Sequence, residues 1–252
     1  MNLKEIYESC LKEANQKNVL YDVMNIKPTV KEGIISSNSK VSLNDAFNAN
    51  LIIDKESIFK IIDIFEEIRK TESDNFKNEL SVICIDIYKA IQSFLGSTSD
   101  MKNRMNEYLK GDVLLSSMEG KNVGACVEKA SIAHQLFTIL ENAGILNYKS
   151  YFVESSIIID SKDYPHAFVI LENNTNNNKR ILFDITNPIK LKKNDKVINS
   201  MGLYALLPDE FNSFMNGGKI SPDNLYYSDG YRIVGDNFSY GSSFQNLFHP
   251  NI

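Results

Sequence analysis

The chain has 252 residues, 43% of them hydrophobic and 23% charged, which is enough for one large domain or two small ones. A formal net charge of −5 gives no electrostatic basis for binding nucleic acid or anionic membranes, so neither is an expected partner. Three scattered cysteines make no disulfide framework, no apolar run reaches membrane-spanning length, and residues 1–8 carry acidic side chains where a signal peptide needs an apolar core; the expectation is a cytoplasmic protein, with signal-independent export as an effector left open.

In chain order, residues 2–17 place Leu3, Ile6, Tyr7, Cys10, Leu11 and Ala14 at helical spacing and predict an amphipathic helix. Residues 18–50 are mixed, with Pro28, Gly33 and the polar run 36–40 marking loops. Asp54 can cap a helix carrying Ile58, Ile61, Ile62, Phe65 and Ile68 on one face. Ser73 or Asp74 can cap a longer one through Leu80, Ile83, Cys84, Ile87, Ala90, Ile91 and Phe94, stopped by Gly96. Residues 100–110 predict a short fourth helix. These apolar faces are read as core, and the helices are expected to cover one side of a sheet. A mostly helical region, 1–115, is thus expected to precede a core of helix and sheet, 116–252.

In that second region Ala130, Ala133, Phe137, Leu140 and Ala143 follow Cys126 at helical spacing, and Gly144 is the stop. Residues 151–154 and 157–160 predict strands. His166 opens the apolar run Ala167-Phe168-Val169-Ile170-Leu171, the Asn-rich 173–178 predicts a hairpin turn, and 179–184 is the return strand, ended by Asn187-Pro188. Residues 201–207 start a strand or a helix, 208–216 predict a short helix stopped by Gly217-Gly218, and 231–234 a last strand.

One set of residues suits nucleophilic catalysis. Cys126 lies in Gly124-Ala125-Cys126-Val127-Glu128-Lys129-Ala130, at the start of its helix, where backbone N–H groups and the positive dipole end favour a thiolate. A thiol is a weak nucleophile until a base takes its proton, and an imidazole serves best when a third group fixes its tautomer. Cys126, His166 and Asp184 supply nucleophile, base and orienting group in that order. Antiparallel pairing would bring His166, which opens one strand, to the same sheet end as Asp184, which closes the other. The oxyanion donors would be the Cys126 backbone N–H and, as a second candidate, Asn122. Each residue also has a plain structural reading. Cys10 and Cys84 sit on apolar helix faces and are core, His134 is a structural or surface residue, His249 lies in a loose tail, and Asp184 could simply cap a turn. No His-Glu-x-x-His, Cys-x-x-Cys, phosphate-binding Gly loop or Gly-x-Ser-x-Gly motif occurs, so no metal, no cofactor and no serine nucleophile is expected.

The stretch 124–188 resembles the transglutaminase-like branch of the papain-type cysteine enzymes. That branch carries a Gly-x-Cys-x-x-x-Ala helix start, a His-Ala-aromatic strand segment and an Asp-x-Thr strand end, here Gly124-Ala-Cys126-Val-Glu-Lys-Ala130, His166-Ala-Phe168 and Asp184-Ile-Thr186. The family often has a Trp near its site, and this chain has none. The resemblance implies an α+β fold with a papain/transglutaminase-like core, a catalytic helix packed on an antiparallel sheet. It implies a thiol enzyme that cleaves or transfers an amide or acyl group, as peptidase, amidase or transglutaminase. The partner would be a peptide or protein amide, or a small acyl or amine substrate. Arylamine N-acetyltransferases use the same residue order, but their Asp is usually followed by Val-Gly, where this chain has Ile185-Thr186. A non-catalytic binding module on the same fold is the remaining alternative.

Overall fold

The computed structural model describes residues 2–16, 29–34, 40–42, 49–71, 74–75, 77–96, 100–159, 162–186, 189–193, 196–200, 203–206, 212, 226–227 and 232–233. It is a mixed α+β chain. Its contacts divide it into two units, one formed by 1–25 with 32–147 and the other by 26–31 with 148–252.

The first unit is mainly helical. Helix α1 (Leu3–Gln16) buries Leu3, Tyr7 and Leu11, the i, i+4, i+8 stripe of its apolar face. Helix α2 (Lys55–Arg69) starts where expected: one oxygen of Asp54 accepts the Ser57 N–H at 3.0 Å, and the other accepts the Ser116 N–H at 2.8 Å. Helix α3 (Leu80–Leu95) ends at Gly96 as expected but begins later than Ser73 or Asp74. Ser73 lies outside the described residues, and Asp74 lies in a turn. The side-chain oxygen of Asn78 accepts from Arg69 at 3.0 Å, which ties the residue before Glu79 to the end of α2 instead of to α3. Helix α4 (Met101–Tyr108) is capped by Asp100, which accepts from the N–H groups of Lys102 and Asn103.

Helix α5 (Cys126–Asn142) is the centre of this unit: residues 127–140 are all buried, and α1, α2 and α3 pack around it. An all-round buried helix needs its polar groups satisfied. The Ser131 hydroxyl donates to the Val127 carbonyl at 2.7 Å, and His134 Nε2 donates to the Gly33 carbonyl at 2.7 Å. His134 is therefore interior and structural, not a surface residue.

Strands β2 (Lys40–Ser42), β3 (Asn50–Ile52) and β4 (Val113–Leu114) form a small sheet in the same unit, antiparallel between the first two and parallel between the last two. At two or three residues each they are too short to carry an alternating pattern, and the sequence reading misses them.

The second unit is a sheet. Among the described residues it has nine strands in the order β1-β5-β6-β7-β10-β11-β12-β8-β9. These are β1 (Thr29–Glu32), β5 (Tyr148–Ile159), β6 (Lys162–Asn173), β7 (Asn176–Phe183), β8 (Ile189–Lys193), β9 (Lys196–Ser200), β10 (Leu203–Leu206), β11 (Tyr226–Tyr227) and β12 (Arg232–Ile233). Every ladder from β5 onward is antiparallel. The two strands expected at 151–154 and 157–160 are one, β5, because the polar Ser155 and Ser156 are held in the ladder opposite His166 and Pro165. The hairpin at the Asn run is as expected: Asn174 and Thr175 make a two-residue turn, and the Asn173 side chain accepts from the N–H groups of Thr175 and Asn176. Glu172 and Arg180 face each other across β6 and β7 and are ion-paired, which holds that register.

The unit boundary at 147 and 148 differs from the one expected at 115 and 116: α5 packs with the N-terminal helices. No helix among the described residues is long and apolar enough to cross a membrane. The helix expected over 208–216, the Gly217-Gly218 stop and His249 lie outside the described residues, apart from Asn212, which is helical.

Candidate active site

Cys126 is the first residue of α5, and the chain before it is fastened to the end of α3. The Gly120 N–H donates to the Phe94 carbonyl and the Asn122 N–H to the Leu95 carbonyl, each at 2.8 Å. Asn122 is left-handed, with φ 58°, a conformation Asn tolerates better than most residues. Its side-chain oxygen lies over Gly96, where a Cβ would come within 2.2 Å of it, and Gly96 is itself at φ 98°. Glycine is required there on both counts. At Gly124 a Cβ would stand 2.5 Å from Leu95 Cδ1. The glycine of the Gly-x-Cys start thus lets the segment lie close against Leu95 of α3 as it leads to Cys126. Asn122, the second oxyanion candidate, is placed as part of this brace.

Ala125, the N-cap, is extended at φ −113° and ψ −159° and has no side-chain acceptor to offer the first turn. Glu128 acts instead. Its Oε2 accepts the Ala125 N–H at 2.8 Å, while Oε1 accepts from Arg104 Nε at 2.8 Å and from the Tyr108 hydroxyl at 2.6 Å. Glu128 is fully buried, and Arg104 and Tyr108 nearly so. Burial alone would raise the Glu128 carboxyl, but the charge and hydrogen bond of Arg104 outweigh it and hold the group below the ordinary carboxylate range. The Tyr108 phenol is pushed up by burial and by the Glu128 charge. The sequence reading missed this trio. A Glu at the third helical position is a capping signal, but nothing in the sequence pairs it with an Arg twenty-four residues earlier.

His166 and Asp184 are brought together in the second unit. Val169 lies opposite Phe183, so the register carried one step further sets Asp184 opposite Phe168. His166 is two residues from Phe168 and shares its face of β6, a diagonal neighbour within side-chain reach. His166 Nε2 donates to Asp184 Oδ2 at 2.6 Å, and both residues are buried. The other carboxylate oxygen, Oδ1, accepts the Thr186 N–H at 3.0 Å, so Asp-x-Thr is a turn that fixes the carboxylate. His166 does not open its strand, as the sequence suggested, but is the fifth residue of β6. The preceding Pro165 is tolerated because β6 pairs with β7 only from Val169 onward.

The other thiols differ from Cys126. Cys84 is fully buried on α3, and burial pushes its thiol up; Cys10 on α1 is half-buried and pushed up by burial and by Glu13. Among the described residues no three His, Cys, Asp or Glu side chains cluster as metal ligands would. No family model, no curated protein and no solved structure matches the chain.

Proposed function

We propose that the chain is a thiol enzyme of amide or acyl bonds, with a papain/transglutaminase-like core in which Cys126 is the nucleophile, His166 the base and Asp184 the orienting group. The observation that carries this reading is the buried 2.6 Å hydrogen bond from His166 Nε2 to Asp184. With the proton of Nε2 directed at the carboxylate, the acceptor nitrogen of the neutral ring is Nδ1. The helix N-terminus under Cys126 and the low acidity of the other two thiols add to it.

In this mechanism Nδ1 takes the thiol proton and the thiolate attacks the substrate carbonyl carbon. Collapse of the tetrahedral adduct breaks the C–N bond, the imidazolium returns its proton to the leaving amine, and a thioester remains on Cys126. Water then gives a carboxylic acid, completing a peptidase or amidase cycle; an amine gives a new amide, completing a transglutaminase cycle. Asp184 stabilises the imidazolium throughout.

The test is iodoacetamide labelling over a pH series, read by peptide mass spectrometry. Cys126 should be the one thiol of the three that labels rapidly below pH 7, and the rate should fall sharply in His166→Ala. Equal labelling of Cys10, Cys84 and Cys126, or a Cys126 midpoint at a free-thiol value of about 8.5, would favour the inert binding module. Intact-mass profiling of adducts with peptide and glutamine electrophiles, against Cys126→Ala, then separates the substrate classes.

A further inference from the structure

We infer that Glu128 is the positioning residue of the Cys126 thiol, holding Ala125 with one carboxylate oxygen and Arg104 with the other, so that α5 begins with its cysteine near a buried guanidinium. This rests on Cys126 being the nucleophile proposed above.

A buried ion pair is a poor source of stability, since an apolar pair of the same volume often does as well. Its location is therefore what needs a reason. It stands at the first turn of the helix that begins with cysteine, and it does there what an N-cap side chain would otherwise do. An Asp at position 125 would cap the helix but set an unpaired carboxylate against the sulfur and disfavour the thiolate. Alanine at 125 avoids that. Glu128 takes up the Ala125 N–H from within the helix, and its charge is met by three donors, Arg104, Tyr108 and Ala125. The guanidinium so held is bonded to the first turn of the helix that Cys126 starts, through a residue two positions after the cysteine. Among the described residues, the charged and titratable groups that the contacts place at this corner include Arg104 and Tyr108 from α4, Glu128 and Lys129 from α5 itself, and Asp100, whose N–H is bonded to the Asn122 carbonyl. Of the other helices packed on α5, α3 carries Cys84 and an Asp86 paired with Arg69 of α2, and α1 brings Cys10 near Glu141, toward the far end of α5.

The experiment follows the pH midpoint of iodoacetamide labelling at Cys126 in the full chain, for wild type, Arg104→Lys and the double variant Arg104→Gln/Glu128→Gln. Removing both charges together strands neither of them, which single removal would do; circular dichroism reports the fold. The double variant removes a favourable and an unfavourable charge together, so its midpoint should rise by less than the roughly one unit that loss of an opposite charge alone brings, and labelling at pH 6 should slow accordingly. Arg104→Lys, which restores the cation, should recover most of that loss. An unmoved midpoint in the double variant overturns the inference, as does an Arg104→Lys midpoint displaced as far as that of the double variant. Should the double variant not fold, Tyr108→Phe decides: it removes one donor from Glu128 and keeps both charges, so the midpoint should rise, and no rise overturns the inference. A wild-type midpoint near that of a free thiol, about 8.5, defeats the nucleophile reading itself. A low wild-type midpoint with unmoved variants defeats only the role of Glu128.

Discussion

At the scale of single residues, Asp184 has both oxygens committed, one to His166 and one to the Thr186 N–H. Asp184→Asn keeps a carbonyl oxygen that can hold only one of these donors, and it removes the negative charge that would steady an imidazolium. Turnover should fall by about 10³–10⁴-fold while circular dichroism and the unfolding midpoint stay near wild type. Unchanged turnover in a folded variant would assign the orienting role elsewhere. Glu128 gives a pH prediction. Its folded pKa is depressed by Arg104 against the opposing effect of burial, so its contribution to stability is fully present above the unfolded value of about 4.3 and is lost as pH falls through the folded value. Urea midpoints measured between pH 6 and 2 should fall with acid, and fall less steeply in the Arg104→Gln/Glu128→Gln variant. Cys126, His166 and Asp184 could be singled out from sequence because each has a chemistry-bearing side chain in a recognisable local setting. Arg104 and Tyr108 could not, because on a short polar helix they look like any solvated residues, and only the fold makes them interior.

At the scale of elements, a helix with a capping aspartate and a regular apolar face was legible nearly to the residue: α2 begins after Asp54, while α4, expected over 100–110, spans Met101–Tyr108. The start of α3 was not, since Glu79 makes no side-chain cap bond, Asp74 lies in a turn and Asn78 is bonded to Arg69 of α2. Strands β8 and β9 were missed because Asn187-Pro188 was read as an end, and their Lys and Asn content hides the alternation. The brace between α3 and α5 is where an element-level change should reach the thiol. Gly96→Ala places a Cβ at a left-handed position and against the Asn122 side chain. It should cost about 1–3 kcal/mol in chemical denaturation and should also alter Cys126 labelling, because 120–125 is tied to this helix end. Gly33→Ala, with a similar φ but nothing within 4 Å of its Cβ, should cost less and leave the labelling unchanged.

At the scale of the whole molecule, the mixed α+β class was legible from the contrast between 3.6-residue periodicity early and short apolar runs later, but the division of the chain was not. Sequence suggested a cut near 115, whereas α5 is the core of the helical unit and β1 belongs, by its hydrogen bonds, to the sheet. No local pattern reveals either, because both depend on which distant segments bury each other. The β1–β5 pairing also has a consequence in time. On the ribosome β1 emerges more than a hundred residues before its partner β5, a wait on the order of ten seconds at the usual ~5–20 residues per second. During that wait the segment has no sheet to join, and once β5 and β6 have formed their hairpin the outer side of β5, a twelve-residue strand, is an open edge until β1 returns to it. Such non-local closure is slow and exposes an adhesive edge while it is pending. Val30→Pro/Lys31→Pro, which must remove whichever of two alternating N–H groups faces β5, should leave that edge open: on dilution from denaturant, light scattering should rise with protein concentration well above wild type, while the helical signal of the first unit recovers at the wild-type rate. The order of synthesis thus makes a four-residue strand the guardian of a surface that does not exist until more than a hundred further residues have been made.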